Sequence, residues 1–383
     1  MTDAVYLALR YLAASPGRTA VLIGGLAVAL FLPLFTTQAS EQLGDALRSR
    51  ARSTPVLIGA TGNEFDLTLG ALYFSGQVRQ TIPFSARRDA ARYGAAVPVH
   101  VASTISGSPL VATDLDYLRL RGLSVAAGRT PALLGEVVAG AVAAEAFQLS
   151  VGDTVRSDLT NLYNLAGAYP ALLSVVGILA PSQTPDDAAF FADTRTGWLL
   201  EGRLHGHQAL SEQMVLDPEA EGNLEATAAL LLFTELTEDN RSDFHFHGDV
   251  ESLPISAVLV FPDSIRRHDQ LLGDYALRDE LQAIRPDEVI DRVLGVVLRL
   301  KSGLSVYTAV VGLSTVAFLA LVLSLSLRLR HSELALMRRI GCSRWTIPAM
   351  IAAEVSVVLL CSVILAMALN MVALWGLQQA LYP

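Results

Sequence analysis

The strongest constraint on this fold is the placement of three apolar stretches around one long polar body. They run from about Thr19 to Gln38, from Leu304 to Leu327 and from Ile347 to Leu377. A helix needs roughly 20 predominantly apolar residues to cross a bilayer, and each stretch reaches that length. The last one is broken near its start by Glu354, and the chain beyond Thr346 is too short for two spans and a turn. The pattern therefore predicts three transmembrane helices, at 19–38, 304–327 and 347–378, with residues 39–303 forming a separate body. The positive mean hydropathy of +0.43 comes mainly from the two ends of the chain.

Charge orients the spans. Arg10 and Arg18 precede the first one, and Arg328, Arg330, Arg338, Arg339 and Arg344 crowd the connector between the second and third. Set against Asp3, Glu333 and Glu354, these flanks carry +4 and the rest of the chain −13, which gives the net −9. Basic flanks remain in the cytoplasm. The N-terminus is thus expected inside, and residues 39–303 and 379–383 outside. Residues 1–18 read as a cytoplasmic amphipathic elbow, with Val5, Leu7, Leu9, Tyr11 and Leu12 as apolar cover for a helix lying in the interface. The first span also fits the apolar core of a signal peptide, since small residues follow at Ala39 and Ser40. Its length and patterned lead segment favour a retained anchor.

Composition excludes several chemistries. The chain has one lysine, Lys301, with Leu300 before it. A phosphate-cradling G-x-x-x-x-G-K-[ST] loop is therefore absent, and the chain is not its own P-loop ATPase. Its two cysteines, Cys342 and Cys361, lie in the basic connector and the last span, so residues 39–303 must be stable without disulfides. There is no G-x-S-x-G or H-E-x-x-H motif, and the body has no cysteine to pair with a histidine as nucleophile. No basic run marks a nucleic-acid surface in that acidic body. Asp186-Asp187 reads as a turn rather than as paired catalytic carboxylates.

The body itself reads as mixed α/β. A polar helical stalk, Glu41 to Ser53, leaves the first span, and a second, Asp287 to Gly303, leads into the next with Val289, Val293, Val296, Val297 and Leu300 on one face. Strand-like runs fall at Pro55–Ile58, Ala96–Ala102, Glu136–Val138, Leu172–Leu179 and Ile255–Phe261, and helical runs at Ala141–Phe147 and Leu271–Ile284. At about 265 residues this body has room for two subdomains, the inserted one at about 105–250.

The connector 328–346 carries the sharpest pattern. Leu334, Met337 and Ile340 share a helical face, and Gly341 supplies a stop. The spacing of Glu333, Ala335, Arg338, Gly341, Arg344, Ile347 and Glu354 resembles the coupling-helix segment of the FtsX-like permease family, which includes the MacB and LolC/LolE transporters. The opening Ala8–Leu30 is similar to the family's elbow and first span. Gly128-Arg129, Gly135–Val155, Leu173–Leu179 and Asp186–Leu200 follow the order of a MacB-type periplasmic core. The resemblance implies a non-catalytic permease subunit in a bacterial inner membrane. In it, Glu333, Arg338, Arg339, Gly341, Arg344 and Glu354 meet a separate cytoplasmic ABC ATPase that holds the ATP and Mg. It implies a homodimer or heterodimer of permeases, working with a periplasmic adaptor or lipoprotein and moving substrate outside the membrane. Family permeases of this type usually carry a fourth span that this sequence lacks, so either a further membrane subunit supplies it or the chain works with three. The alternatives are FtsX-like control of a periplasmic enzyme and a metal-handling, zinc-linked transporter assembly.

Histidines give a separate expectation. His205 and His207, and likewise His245 and His247, form H-x-H pairs. On a strand, positions i and i+2 face one side, so each pair presents two imidazoles to one ion such as zinc. The competing reading packs Phe244 and Phe246 inward and leaves the imidazoles to solvent.

Overall fold

The computed structural model describes residues 2–76, 80–158, 171–206, 236–237, 240–246, 248–329, 331–339, 341–343 and 345–381. Two helices open the chain, α1 (Thr2–Ala14) and α2 (Pro16–Arg52). Proline at the start of α2 lacks only an N–H that a first turn leaves unpaired. Short elements follow: β1 (Val56–Ala60), α3 (Glu64–Leu72), β2 (Ile82–Pro83), α4 (Ser85–Ala90), β3 (Gly94–Ile105), β4 (Ser108–Thr113), α5 (Leu115–Leu120), β5 (Val125–Gly128), β6 (Glu136–Ala139), α6 (Ala141–Ala146), β7 (Thr154–Arg156) and β8 (Leu172–Leu179). After a 3-10 turn at Pro185–Ala188 come β9 (Phe190–Asp193), α7 (Thr194–Leu200), β10 (Leu204–Gly206), β11 (Phe244–Phe246), β12 (Pro254–Ile255), β13 (Ala257–Pro262), α8 (Ile265–Tyr275) and β14 (Leu281–Ile284). Three helices, α9 (Pro286–Leu329), α10 (His331–Arg339) and α11 (Thr346–Leu381), complete the order.

The chain divides into a helical unit, Met1–Ala46 with Val293–Leu381, and a sheet unit, Leu47–Arg292. In the helical unit α1 packs against α11. The buried residues of α1 are Ala4, Ala8 and Leu12, one per turn, whereas Val5, Leu7 and Leu9 stay exposed. The apolar cover expected from sequence is thus divided: small residues meet the protein, and most of the larger ones face outward. On α11 the buried stripe is Ile347, Met350, Glu354, Val358, Ser362, Ala366 and Asn370, at the three- and four-residue spacing of one helix face. Asn370 donates to Gln38 Oε1 of α2 at 2.7 Å. By length and composition two helices qualify as spans, Pro16–Arg52 and Thr346–Gln378. Among the described residues the apolar part of α9 is Val306–Phe318, shorter than a span, so the expected span at 304–327 is not shown.

In the sheet unit ten strands form one mixed sheet in the order β14-β1-β13-β3-β4-β9-β6-β8-β5, with β7 also pairing to β8. The β4–β9 and β6–β8 pairs are parallel and the other ladders antiparallel. Residues 105–250, expected as an inserted subdomain, supply strands to this same sheet. The central strands read as unbroken apolar runs because both their faces are covered. Leu57 of β1 and Ala257 and Leu259 of β13 enter one core, with Leu67, Leu72, Tyr117 and Val289. Their neighbours Val56, Ile58, Val258 and Val260 enter the opposite core, with Ala86, Trp198, Leu271 and Tyr275. A third core, around Val137, Leu173, Val175 and Phe190, fills the far half of the sheet.

One sequence expectation needs correction. Leu271–Ile284 is not a single helix. Helix α8 ends at Tyr275, and Leu281–Ile284 is an edge strand whose ladder to β1 pairs Ile284 with Leu57. A four-residue segment, Leu-Gln-Ala-Ile, is too short to show either period, and here strand pairing decides.

Candidate functional site

The connector expected to meet a partner is built around α10. The helix ends in a left-handed turn at Gly341, whose φ is 91°. Glycine takes that conformation without the Cβ clash that other residues meet. The N–H of Cys342 then reaches back to Met337 O at 3.2 Å, closing the six-residue loop of a Schellman cap. Beyond it, Thr346 N–H donates to Ser343 O at 3.0 Å, where α11 begins. Leu336, Arg339 and Trp345 are exposed around this turn.

The structure separates the residues singled out in the sequence. Arg339 and Gly341 are on the surface. Glu333 and Arg338 lie in α10, their side chains outside the description, and Arg344 lies outside the described residues. Glu354 is 7% exposed and sits on the α11 stripe beside Met350, so it belongs to the interior of the helical unit. Among the histidines, β10 and β11 pair so that His205 stands opposite His245 in register. Two H-x-H motifs forty residues apart are therefore joined by one ladder. His207 and His247 lie outside the described residues, and among the described ones no group of three His, Cys, Asp or Glu is placed to hold a metal ion.

A second constellation was not expected. Arg50, in the last turn of α2, is buried, and its guanidinium forms a two-pronged ion pair with Asp186, 2.6 Å to Oδ2 and 2.9 Å to Oδ1. Its Nε donates to Leu72 O at 3.0 Å and Nη2 to the Tyr117 hydroxyl at 2.9 Å, while that hydroxyl donates to Asp186 Oδ1 at 2.7 Å. Thr184 Oγ1 adds a bond to Asp186 Oδ2 at 2.9 Å. Arg121 follows alongside, donating to Ser53 Oγ and Thr54 Oγ1, both at 2.7 Å. Burial pushes the Asp186 carboxyl up, but Arg50, Tyr117 and Arg121 outweigh it and hold it below the usual carboxylate range. Burial also works against the charge of Arg50, yet Tyr117 and Asp186 raise it above the ordinary arginine value. Each charge is thus kept by the other, with further hydrogen bonds to Leu72 O, Tyr117 and Thr184 around the pair.

Ser256, His100 and Glu201 also form a chain in the sheet unit. Ser256 Oγ lies 3.4 Å from His100 Nδ1, and His100 Nε2 lies 3.2 Å from Glu201 Oε1. The order resembles a nucleophile, base and orienting acid. However, Ser256 and His100 are each 1% exposed, and Ser256 Oγ already accepts from Val101 N–H at 3.0 Å. A substrate carbonyl has no route to that hydroxyl, so the chain is a packing and hydrogen-bonding feature.

Residues 305–382 match the family described as FtsX-like permease C-terminal. No curated protein matches the chain. Among solved structures, the chain is similar to the periplasmic region of MacB from Actinobacillus actinomycetemcomitans, with 11% identity and a TM-score of 0.35 over 63% of this chain and 94% of that one. It is also similar to the extracellular domain of YknZ, a noncanonic ABC-type transporter from Gram-positive bacteria. There the identity is 11% and the TM-score 0.31, over 60% of this chain and 98% of that one.

Proposed function

Taking residues 305–382 as an FtsX-like permease C-terminal domain, we propose that this chain is the membrane subunit of an ABC-type mechanotransmission complex. Members of this family work with ABC ATPase partners and are non-catalytic membrane subunits. In this reading α10 is the surface that a separate ATPase grips. The observation that carries it is a short basic helix between α9 and α11, inside the matched segment, ending in the Gly341 cap with Arg339 exposed beside it. A helix stopped by such a cap presents its last turn as a fixed knob, and arginine is suited to a carboxylate-lined groove. Glu354, buried on the α11 stripe, offers a partner little surface in this reading.

Closure of the ATPase on bound nucleotide would move α10 and, with it, the helices on either side. α2 and α9 are single helices of 37 and 44 residues. Residues of both reach the sheet unit, where Val289 of α9 joins the first core and Arg50 of α2 its buried ion pair. Helices of this kind carry a displacement with less loss than a flexible linker. The moving body is then the mixed sheet, acting on its substrate outside the membrane.

The test is association with a separate ABC ATPase that co-purifies with the full chain from its native membrane. The full chain carrying Arg338→Glu and Arg339→Glu should bind that ATPase at least about tenfold more weakly than the unaltered chain, since like charge against a complementary surface costs several kcal/mol. Binding at unaltered strength by the charge-reversed chain would remove α10 from the interface and the reading with it.

A further inference from the structure

We infer that the Arg50 cluster fixes one stalk to both halves of the sheet at once, which makes Arg50 and Asp186 positioning residues for transmission. This rests on the function proposed above. Along the chain, α2 runs through Ser53 and Thr54 into β1, a strand of the half formed by β14, β1, β13 and β3. The other half, centred on β9, β6 and β8, is reached only far later in the sequence. Arg50 crosses that gap directly, because its carboxylate partner 136 positions away belongs to the turn that joins β8 to β9.

That turn is held on all sides. Asp187 accepts from Ser182 N–H and Oγ–H, at 2.9 and 2.7 Å, and from Gln183 N–H at 2.7 Å. On the other flank Gly140, between β6 and α6, presses against the turn backbone. A Cβ added there would come within 2.3 Å of Asp187 O and 2.4 Å of Asp186 O. Gly140 N–H also donates to Ala189 O at 2.8 Å. A displacement delivered at Asp186 therefore reaches β9 along the chain and β6 through contact. Leu72 O and Tyr117 give Arg50 two further holds, on the end of α3 and within α5.

The guanidinium suits this task better than an ammonium. All three of its nitrogens are engaged in fixed directions, on three different segments. Lysine offers one point charge on a rotating head, which cannot hold that geometry. Position matters as well. The neighbouring Arg48 pairs with Asp291 at 2.9 Å, but with 28% and 51% of the side chains exposed that contact can be exchanged for water. The Arg50–Asp186 pair has 5% and 0% exposed and no such alternative.

The experiment uses the full chain in complex with its ATPase, comparing amide hydrogen exchange with and without a non-hydrolysable ATP analogue. Two peptides are followed, 94–105 from β3 and 182–193 from the β8–β9 connection. In the unaltered complex both should change by about threefold or more when the analogue binds. With Arg50→Lys the response of 94–105 should persist, while that of 182–193 falls to within experimental error of none. A merely structural ion pair would change exchange without nucleotide but leave the nucleotide response of 182–193 in place, and that result overturns the inference. Should Arg50→Lys fail to fold, Tyr117→Phe removes one hold and should reduce the response of 182–193 alone; an undiminished response overturns the inference equally. If no part of 47–292 responds in the unaltered complex, the transmission reading fails, whatever the variants do.

Discussion

Arg129 and Glu136 show how a single pair can set the acid stability of the sheet unit. Glu136 takes both prongs of Arg129, at 2.7 and 2.5 Å, and the N–H groups of Ala132 and Leu133 at 2.9 and 3.0 Å. Arg129 is the main cause, burial opposes it, and the backbone N–H groups assist, so that the carboxyl falls from 4.5 to about 2. A carboxyl depressed by folding adds stability that is fully present above its unfolded value and is lost as pH falls through its folded one. The unfolding temperature of the full chain should therefore decline between about pH 4.5 and pH 2. Glu136→Gln should flatten that part of the profile, and a slope equal to that of the unaltered chain would exclude Glu136 as its source. Asp186, also held low, acts in the same direction. The sequence made Gly128-Arg129 and Glu136 visible as ordered motifs, but not the bond between them. It made Arg50 still harder to see. Arg48, Arg50 and Arg52 alternate along one polar stalk, and only tertiary contact separates the buried one from its neighbours. Asp186 looked like a turn residue for a sound reason: it is in a turn, and the groups that close over it come from α2 and α5, 136 and 69 positions away.

The Gly341 cap is the element most open to test. Gly341→Val would force a β-branched residue into a left-handed conformation, at a cost of about 1–2 kcal/mol, and so fray the end of α10. The expected outcome is weaker co-purification of the ATPase with an unchanged unfolding temperature for the sheet unit. Equal recovery of the ATPase would show that the shape of the cap is unimportant to the contact. This stop was legible in the sequence because glycine after a helical apolar pattern has few other uses. Strand β8 was equally plain. Its alternation of buried and less buried residues over Leu172–Leu179 gives the same limits in sequence and in structure. β14 was not legible, since Leu281–Ile284 has no periodicity of its own and becomes a strand only beside β1. The β10–β11 ladder was hidden for a similar reason. Forty residues separate its strands, and nothing in either H-x-H motif names the other as partner.

At the scale of the whole molecule, the broad plan followed from pattern: apolar ends, a mixed α/β body, helical stalks. The order of strands did not, because it depends on pairings between distant segments. The most consequential is β1 with β13, where Val56 meets Val260 and Ile58 meets Val258. These partners are separated by about 200 residues, and long-range pairing of this kind slows folding. At the usual pace of synthesis, about 5–20 residues per second, β1 waits roughly 10–40 s before its first neighbour exists. During that time both its edges are open to wrong partners. A chain ended at residue 253 should remain protease-sensitive over 56–200, whereas one ended at residue 300 should resist; equal resistance would mean that the first two-thirds of the sheet folds alone. The strand nearest the first stalk is thus among the first made and among the last secured, so the body completes its fold only as α9 is itself emerging.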